Sequence, residues 1–187
     1  MQQKVVQRER ELAIVTERAF SRDPAVALRD PSLPAIGRLH LRIVQKSLEP
    51  GWWDQALRLG QRTAGCNWIE VCTRNVRHVH GRERIGELSL DKSYVVVSNH
   101  RSFFDMYVIT AYLMKRGMKH RIMFPVRSNF FYDSAAGIFV NAVMSFFAMY
   151  PPVFRDKKLA HLNVASLDET IRLLRQGGFF MGLHPEG

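Results

Sequence analysis

Short apolar runs alternate with segments of helical periodicity from about residue 75 to the end of the chain. The apolar runs predict strands at residues 75–80, 94–98, 121–126, 147–154 and 179–183. Helical periodicity fills the intervals at residues 105–115, 135–145 and 159–176, and Gly177-Gly178 ends the last of these helices. This alternation favours an α/β fold, with a mixed, mostly parallel sheet flanked by helices.

The first 74 residues have another pattern, in which charge is dense and strands are not predicted. Residues 1–50 are interrupted by prolines and predict a charged helical extension of unassigned role, with one helix over residues 3–20. Residues 51–74 predict an amphipathic helical segment that carries tryptophans beside arginines. Such a segment suits a membrane interface, and it equally suits a helix that packs on the domain and extends its arginines to solvent.

One uncharged stretch is long enough by count alone to cross a bilayer. It runs over the 21 residues from Ser134 to Phe154. Gly137, Asn141 and the pair Pro151-Pro152 interrupt it. These interruptions favour a helix followed by a buried strand over a membrane span.

The formal net charge of +10 is distributed along the whole chain of 187 residues. Residues 1–90 carry 15 basic and 10 acidic side chains, and residues 91–187 carry 12 and 7, so each half has a charge of +5. Distributed positive charge favours an anionic partner, although a solvated face without a partner has the same composition. The sequence has neither an aromatic RNA-binding strand motif nor a GxxG loop, so we expect anionic membrane lipids and no nucleic acid.

Two features bear on compartment and metal binding. Cys66 and Cys72 have no metal-ligand spacing, and the charged N-terminus has no apolar signal sequence. We therefore expect reduced thiols and a location on the cytoplasmic side of the membrane, peripheral or monotopic. His78 and His80 would share one face of a strand, but no carboxylate or cysteine partner is assigned to them, so no metal site is predicted.

The strongest candidate for chemistry is His100, followed five residues later by Asp105. Both come directly after a predicted strand, and ligands of open α/β sheets bind at the carboxyl ends of the strands. A carboxylate can hold one ring nitrogen of a histidine as a donor while the other nitrogen accepts a proton. The sequence thus predicts a general base without a protein nucleophile, and we take Ser102, two residues from His100, as a helix cap.

Two further polar clusters follow predicted strands. Arg155 could clamp a phosphate, or it could pair with the neighbouring Asp156. Glu186 could accept hydrogen bonds from a polyol, and Gly187 would let the backbone approach a ligand.

Together the three clusters resemble one family. Residues 99–105 (Asn-His-Arg-Ser-Phe-Phe-Asp) match the NHxSxxD motif, also described as HX4D, of the glycerolipid acyltransferases. Residues 153–155 (Val-Phe-Arg) resemble the family's second block, and residues 184–187 (His-Pro-Glu-Gly) resemble the start of its third. Supporting matches are Val-His-Gly-Arg-Glu at 79–83, Phe-Pro-Val-Arg at 124–127, Phe-Phe at 130–131, and Gly137. The resemblance covers about residues 75–187, which we take as the acyltransferase domain.

The chain departs from the family pattern at four places. His184 replaces the usual phenylalanine, and Arg127 stands where many members have lysine. Residues 149–152 (Met-Tyr-Pro-Pro) occupy the stretch where the second block usually has a glycine. The sequence ends at Gly187, inside the third block, so we expect a fragment that lacks the C-terminal part of the domain and is inactive by itself.

The resemblance implies an O-acyltransferase of phospholipid biosynthesis. His100 would act as general base on a hydroxyl of lysophosphatidic acid or a related glycerol phosphate, and Asp105 would orient it. Acyl-CoA or acyl-acyl-carrier-protein would be the co-substrate, with no bound cofactor. The residues implied in substrate binding are Arg155, Glu186 and Gly187, with Arg101 and Arg127. Two alternatives remain: a non-catalytic basic module that docks on membranes, and a coenzyme-A-independent phospholipid transacylase of the same superfamily.

Overall fold

Four parallel strands form the sheet in the computed structural model, which describes residues 30–75 and 78–185. They are β1 (Tyr94–Val97), β2 (Arg121–Arg127), β3 (Met149–Val153) and β4 (Phe179–Leu183). Their order across the sheet is β1-β4-β2-β3, and each pairing in the described residues is parallel. The predicted α/β class is confirmed. The predicted helix over residues 3–20 lies outside the described residues.

Helices cover the sheet and precede it. They are α1 (Ala35–Leu48), α2 (Trp52–Gly60), α3 (Cys66–Thr73), α4 (Asp105–Lys115), α5 (Ala135–Ser145) and α6 (Leu162–Arg175). A π-helical turn, Gln61–Gly65, joins α2 to α3, so the predicted helical segment 51–74 is confirmed. The absence of Cβ atoms at Gly60 and Gly65 makes room for Phe146, because a Cβ there would lie 2.7 and 3.1 Å from its ring.

The strand predicted at residues 75–80 is wrong for the residues that the structure describes. Asn75 lies in a turn, residues 78–80 have no strand conformation, and Gly81 (φ 72°) leads into a short 3₁₀ turn. Val79 is the only apolar residue among 78–80, and all three are exposed. Because this segment has no apolar face to bury, packing does not favour its pairing with the sheet.

The core lies on both faces of the sheet, and successive strand residues alternate between the faces. Met123, Phe179 and Met181 face one apolar cluster, to which α1 contributes Leu41 and Val44. The opposite cluster takes its strand residues from the alternate positions and its helical residues from α3 and α4: Ile122, Phe124, Phe180, Cys66, Ile69, Met106 and Ala111. The sheet is therefore buried on both faces.

A buried ionic cluster joins α2 to the start of β2. Asp54 Oδ2 accepts a hydrogen bond from Arg58 Nε at 2.6 Å, and Asp54 Oδ1 lies 3.5 Å from Nε of Arg121. Arg121 is fully buried and donates from Nη2 to the carbonyl of Phe146 at 2.8 Å. Burial lowers the pKa of Arg121 to about 9, against the opposing effect of the Asp54 carboxylate. Arg58 also donates to the carbonyl of Gly178, just before β4, at 2.8 Å.

The uncharged stretch from Ser134 to Phe154 forms α5 and β3, as predicted. Among the described helices, none combines the length and the apolar composition needed to cross a membrane. Cys66 and Cys72 are free thiols, as expected.

Candidate active site

The carboxyl ends of all four strands meet at one edge of the sheet, where a polar side chain follows each strand or ends it. In spatial order these are His100 after β1, His184 after β4, Arg127 at the end of β2 and Arg155 after β3. All four line one cleft of about 660 Å³. Residues far apart in sequence thus meet here because parallel strands place their ends on the same side.

His100 and Asp105 are brought together by the turn between β1 and α4. The distance from His100 Nδ1 to Asp105 Oδ2 is 3.4 Å. The same carboxylate oxygen accepts the backbone N–H groups of Arg101 and Ser102, each at 2.7 Å. These bonds fold the turn back on the carboxylate and fix its position at the first residue of α4.

Asp105 is held in its ionised form. Partial burial acts to raise its pKa, but the N–H groups of Ser102 and Arg101 and the neighbouring His100 outweigh this effect and bring the pKa below its ordinary value. An ionised carboxylate beside Nδ1 favours the tautomer with the proton on Nδ1. The lone pair of neutral His100 then resides on Nε2.

Ser102 does not cap the helix, so that prediction is wrong. Helix α4 begins at Asp105 without a side-chain cap, and Ser102 Oγ accepts the N–H of Phe104 at 3.2 Å in the preceding turn. The carboxylate of Asp105 accepts two other donors of this turn, the N–H groups of Arg101 and Ser102. The role of Ser102 is therefore local to the turn.

His184 stacks on His100, with ring centroids 4.3 Å apart and an interplanar angle of 28°. Its Nδ1 lies 3.2 Å from both the carbonyl oxygen and the hydroxyl of Ser98. Since a carbonyl only accepts, Nδ1 of His184 carries the proton. The pairing of Val97 with Leu183 in β1 and β4 places the two histidines side by side.

The side chains that line the cleft include an apolar group and two cations, which we call the apolar wall and the cationic wall. Phe103 and Phe131 stack with centroids 6.2 Å apart and an interplanar angle of 7°, and Phe124 continues the apolar wall. Arg127, at the end of β2, and Arg155, after β3, form the cationic wall. The cleft therefore offers a surface for an apolar chain next to two cations.

Gly182 in β4 lets α4 lie close to the sheet beneath the cleft. A Cβ atom at Gly182 would stand 2.0 Å from Sδ of Met106, the buried residue that follows Asp105. Asp105 is the first residue of α4, so the close contact between Gly182 and Met106 helps to fix the distance of the Asp105 carboxylate from the sheet.

The structure groups some of the predicted site residues and leaves others out. His100, Arg127 and Arg155 line the cleft, whereas Arg101 is not among its lining residues and holds Asp105 through its backbone. Glu186 and Gly187 lie outside the described residues.

Sequence reasoning did not identify Phe103 as part of the wall or Ser98 as a partner of His184. Two adjacent phenylalanines in an otherwise polar turn are a signal for an exposed apolar surface. The contact of Ser98 with His184 depends on the order of the strands in the sheet, and strand order leaves no local signal in the sequence.

Comparison with protein families gives a match for the larger part of the chain. Residues 76–187 match the family model described as Acyltransferase. The chain belongs to the acyltransferase family. This assignment confirms the resemblance to the glycerolipid acyltransferase superfamily, and it identifies the protein as a transferase of acyl groups. No significant match was found among curated proteins or among solved structures.

The acyltransferase region includes every side chain described above as lining the cleft. Its geometry suits proton transfer at Nε2 of His100, close to a cationic wall and an apolar wall. Ser102 is engaged in its own turn, and we find no base oriented toward it among the described contacts.

Proposed function

We propose that this acyltransferase moves a fatty acyl group from an acyl thioester to a hydroxyl of lysophosphatidic acid or a related glycerol phosphate. One observation carries the proposal: the His100–Asp105 pair opens into a cleft whose lining includes two arginines and several phenylalanines. The acceptor offers a hydroxyl and a phosphate, and the donor offers an apolar acyl chain. These three groups match the three parts of the cleft.

His100 is the general base of the proposed reaction. Its Nε2 takes the proton of the acceptor hydroxyl while the hydroxyl oxygen attacks the thioester carbonyl. The C–O bond forms, the C–S bond breaks, and the proton passes from Nε2 to the departing thiolate. The products are the acylated glycerolipid and a free thiol, and Asp105 stabilises the imidazolium between the two transfers.

The cationic wall would bind the acceptor phosphate. Arg127 and Arg155 stand at the ends of the adjacent strands β2 and β3. Two guanidinium groups can engage one phosphate through paired N–H donors. By the family resemblance, Glu186 and Gly187 add contacts to the glycerol.

The apolar wall would hold the fatty acyl chain near the base. Phe103, Phe124 and Phe131 line it, and the side chains of Met106 and Val126 complete it. The thioester then comes from acyl-CoA or an acyl-acyl-carrier-protein as co-substrate, and the reaction needs no bound cofactor. Its product places the enzyme in phospholipid biosynthesis.

A series of aromatic side chains supports association with a membrane. Trp68, Phe104, Phe103, Phe131 and Phe130 contact one another in that order, with successive centroids 6.1, 5.3, 6.2 and 5.1 Å apart. We name this series the aromatic rim. Phe103, Phe104 and Phe130 are 44, 40 and 54% exposed, and the rim borders the cleft.

Exposed aromatics beside a strongly basic chain are typical of proteins that bind an anionic lipid interface. We infer peripheral or monotopic binding on the cytoplasmic side, where a lysolipid could pass from the bilayer to His100 along the rim. Anionic membrane lipids would be the partner, and no nucleic acid is involved.

The test of the reaction is a thiol-release assay with the full-length protein, palmitoyl-CoA and lysophosphatidic acid, in which lipid products are identified by mass spectrometry. We expect thiol release that requires the acceptor, and its loss in His100→Ala. His161→Ala is the matched control, because His161 also pairs with an aspartate (Asp30, 2.6 Å) but lies outside the residues that line the cleft. Acyl transfer from phospholipid without thiol release would instead support a transacylase, and thiol release in His100→Ala would refute the assigned base.

Membrane binding is tested by sedimentation with vesicles of phosphatidylglycerol and phosphatidylcholine in different ratios. We expect binding to increase with the anionic fraction and to weaken in Phe130→Ala. Phe139→Ala is the control, because Phe139 is 66% exposed on α5 and is not part of the rim. Equal weakening by both substitutions would contradict a specific role of the rim.

A further inference from the structure

Three metal-binding side chains meet at the ends of the neighbouring strands β1 and β4. His100, Asp105 and His184 each offer a ligand atom, and these atoms all lie within 4.8 Å of one another. Two imidazoles and a carboxylate are a common ligand set for zinc and other divalent transition metals. His184 is available as a ligand because it stands where the acyltransferase family pattern usually has a phenylalanine.

The distance between His100 and Asp105 already suits a metal ion. Their Nδ1 and Oδ2 atoms are 3.4 Å apart. Two ligands about 2.1 Å from a tetrahedral zinc ion are separated by about 3.4 Å, so the spacing of these two atoms matches that of two ligands of one ion.

His184 is prepared as a third ligand by its contact with Ser98. Its Nδ1 proton points to the Ser98 carbonyl oxygen at 3.2 Å, which leaves the lone pair on Nε2. A ring N–H bonded to a backbone carbonyl is the usual outer-shell contact of a metal-binding histidine. The ring stacks on His100 at 4.3 Å, and a ligand atom of His184 lies within 4.8 Å of those of His100 and Asp105.

The position is accessible from the cleft. The His100 side chain is 41% exposed, and both histidines line the cleft. Three protein ligands leave the fourth tetrahedral position for water, so an ion can enter and leave without opening the core.

We propose that His100, Asp105 and His184 form a binding site for Zn²⁺ or a similar divalent transition metal, and that the bound ion inhibits acyl transfer. A metal on Nδ1 of His100 displaces the proton from that nitrogen. The proton of the neutral ring then resides on Nε2, which can no longer take a proton from the acceptor hydroxyl. The inhibition rests on the proposed function, whereas the binding does not.

Binding is measured on the full-length protein by calorimetry with ZnCl₂ and by the visible absorption of added Co²⁺. We expect one ion per chain at this position and a tetrahedral cobalt spectrum. Loss of an outer-shell partner alone weakens metal binding by about 10–100-fold, so His184→Phe, which removes a ligand, should weaken it at least tenfold. The phenylalanine keeps an aromatic ring on His100, so the loss is not a consequence of lost stacking.

Two control variants locate the ion. His161→Phe removes a histidine that also pairs with an aspartate (Asp30, 2.6 Å) but has no second histidine in that pair. This variant should bind zinc as the unchanged protein does. His80→Phe tests the alternative pair of His78 and His80. Unchanged binding in His184→Phe, or loss of binding in either control, would overturn the proposed site.

Inhibition is measured as the ratio of thiol-release rates with zinc and with a chelator, separately for each variant. We expect a ratio well below one for the unchanged protein, full recovery with the chelator, and at least a tenfold higher zinc requirement in His184→Phe. Stoichiometric binding without inhibition would refute the inhibitory role. A protein with no thiol release under any condition would refute the proposed function, while the cobalt spectrum would still decide the metal site.

Discussion

Acid should destabilise this protein through a buried histidine that lies away from the cleft. His40 is fully buried in α1, stacks on Tyr132 at 4.3 Å and contacts Asn141 Nδ2 through Nε2 at 3.0 Å. An amide Nδ2 only donates, so this Nε2 accepts and the ring is neutral. Burial lowers the pKa of His40 from 6.5 to about 4, with a smaller opposing effect from the backbone of Phe131.

The magnitude follows from the difference between the folded and unfolded pKa of His40. A histidine with a lowered folded pKa contributes its full stability above pH 6.5, and this contribution is lost as the pH falls toward 4, because the unfolded chain binds the proton first. One unit of pKa difference corresponds to about 1.4 kcal/mol, so the limiting loss is about 3.4 kcal/mol. Between pH 7.5 and 4.5 the free energy of unfolding should fall by about 2.5 kcal/mol from this residue alone.

Urea unfolding followed by circular dichroism at pH 7.5, 6.5, 5.5 and 4.5 measures this loss. His40→Gln keeps an acceptor for Asn141 but has no titrating group at this position. Between pH 7.5 and 4.5 its free energy of unfolding should therefore fall by about 2.5 kcal/mol less than that of the unchanged protein. His161→Gln, at an exposed histidine, controls for removal of a histidine as such. Parallel pH dependences in the unchanged protein and His40→Gln would refute the assigned burial of a neutral ring.

Three further predictions concern the turn, the ionic cluster and a close backbone contact. Asp105→Asn should lower kcat for thiol release by about 10²–10⁴-fold, because an amide no longer favours the His100 tautomer with its proton on Nδ1. The far-ultraviolet circular dichroism spectrum should be unchanged. A loss in kcat of less than about threefold would contradict this role of Asp105. Asp54→Asn leaves the buried Arg121 guanidinium without its anionic partner. It should therefore lower the free energy of unfolding, measured by urea titration, by about 3–5 kcal/mol. A change of less than about 1 kcal/mol would show that the buried cation does not need this partner. Gly137→Ala should clearly lower the melting temperature, because the added Cβ would lie 2.0 Å from the Phe130 carbonyl oxygen. Gly51→Ala is the control and should leave the melting temperature unchanged, because a Cβ at that position would have no atom within 4 Å. Equal melting temperatures of the two variants would contradict the close contact at Gly137.

Local patterns in the sequence predicted the elements that carry their own signal. Helix α5 has a Ser134 side chain that accepts the N–H of Gly137 at 3.0 Å, and its predicted bounds agree with the structure. The strands β1, β2 and β4 were predicted within one residue of their observed ends, because they are short apolar runs between polar turns. The proximity of His100 and Asp105 was predictable for the same reason, since both lie in one turn.

Features that depend on distant residues could not be predicted in this way. Helix α1 follows Pro34 in a charged segment, and its apolar stripe becomes evident only when Leu41 and Val44 are seen to pack on the sheet. The aromatic rim includes Phe130, which has a left-handed backbone (φ 73°) that is uncommon for phenylalanine. The stacking of His184 on His100 depends on the order of strands, which no spacing in the sequence specifies.

The position of β4 has a consequence for how the protein is made. β4 lies between β1 and β2, and it is the only described strand that pairs with β1. On the ribosome, β1 therefore emerges first among the four strands but has to wait for the last of them before it gains a hydrogen-bonded neighbour. His100 therefore reaches its place beside His184 only when β4 inserts, and contacts between such distant residues form slowly during folding.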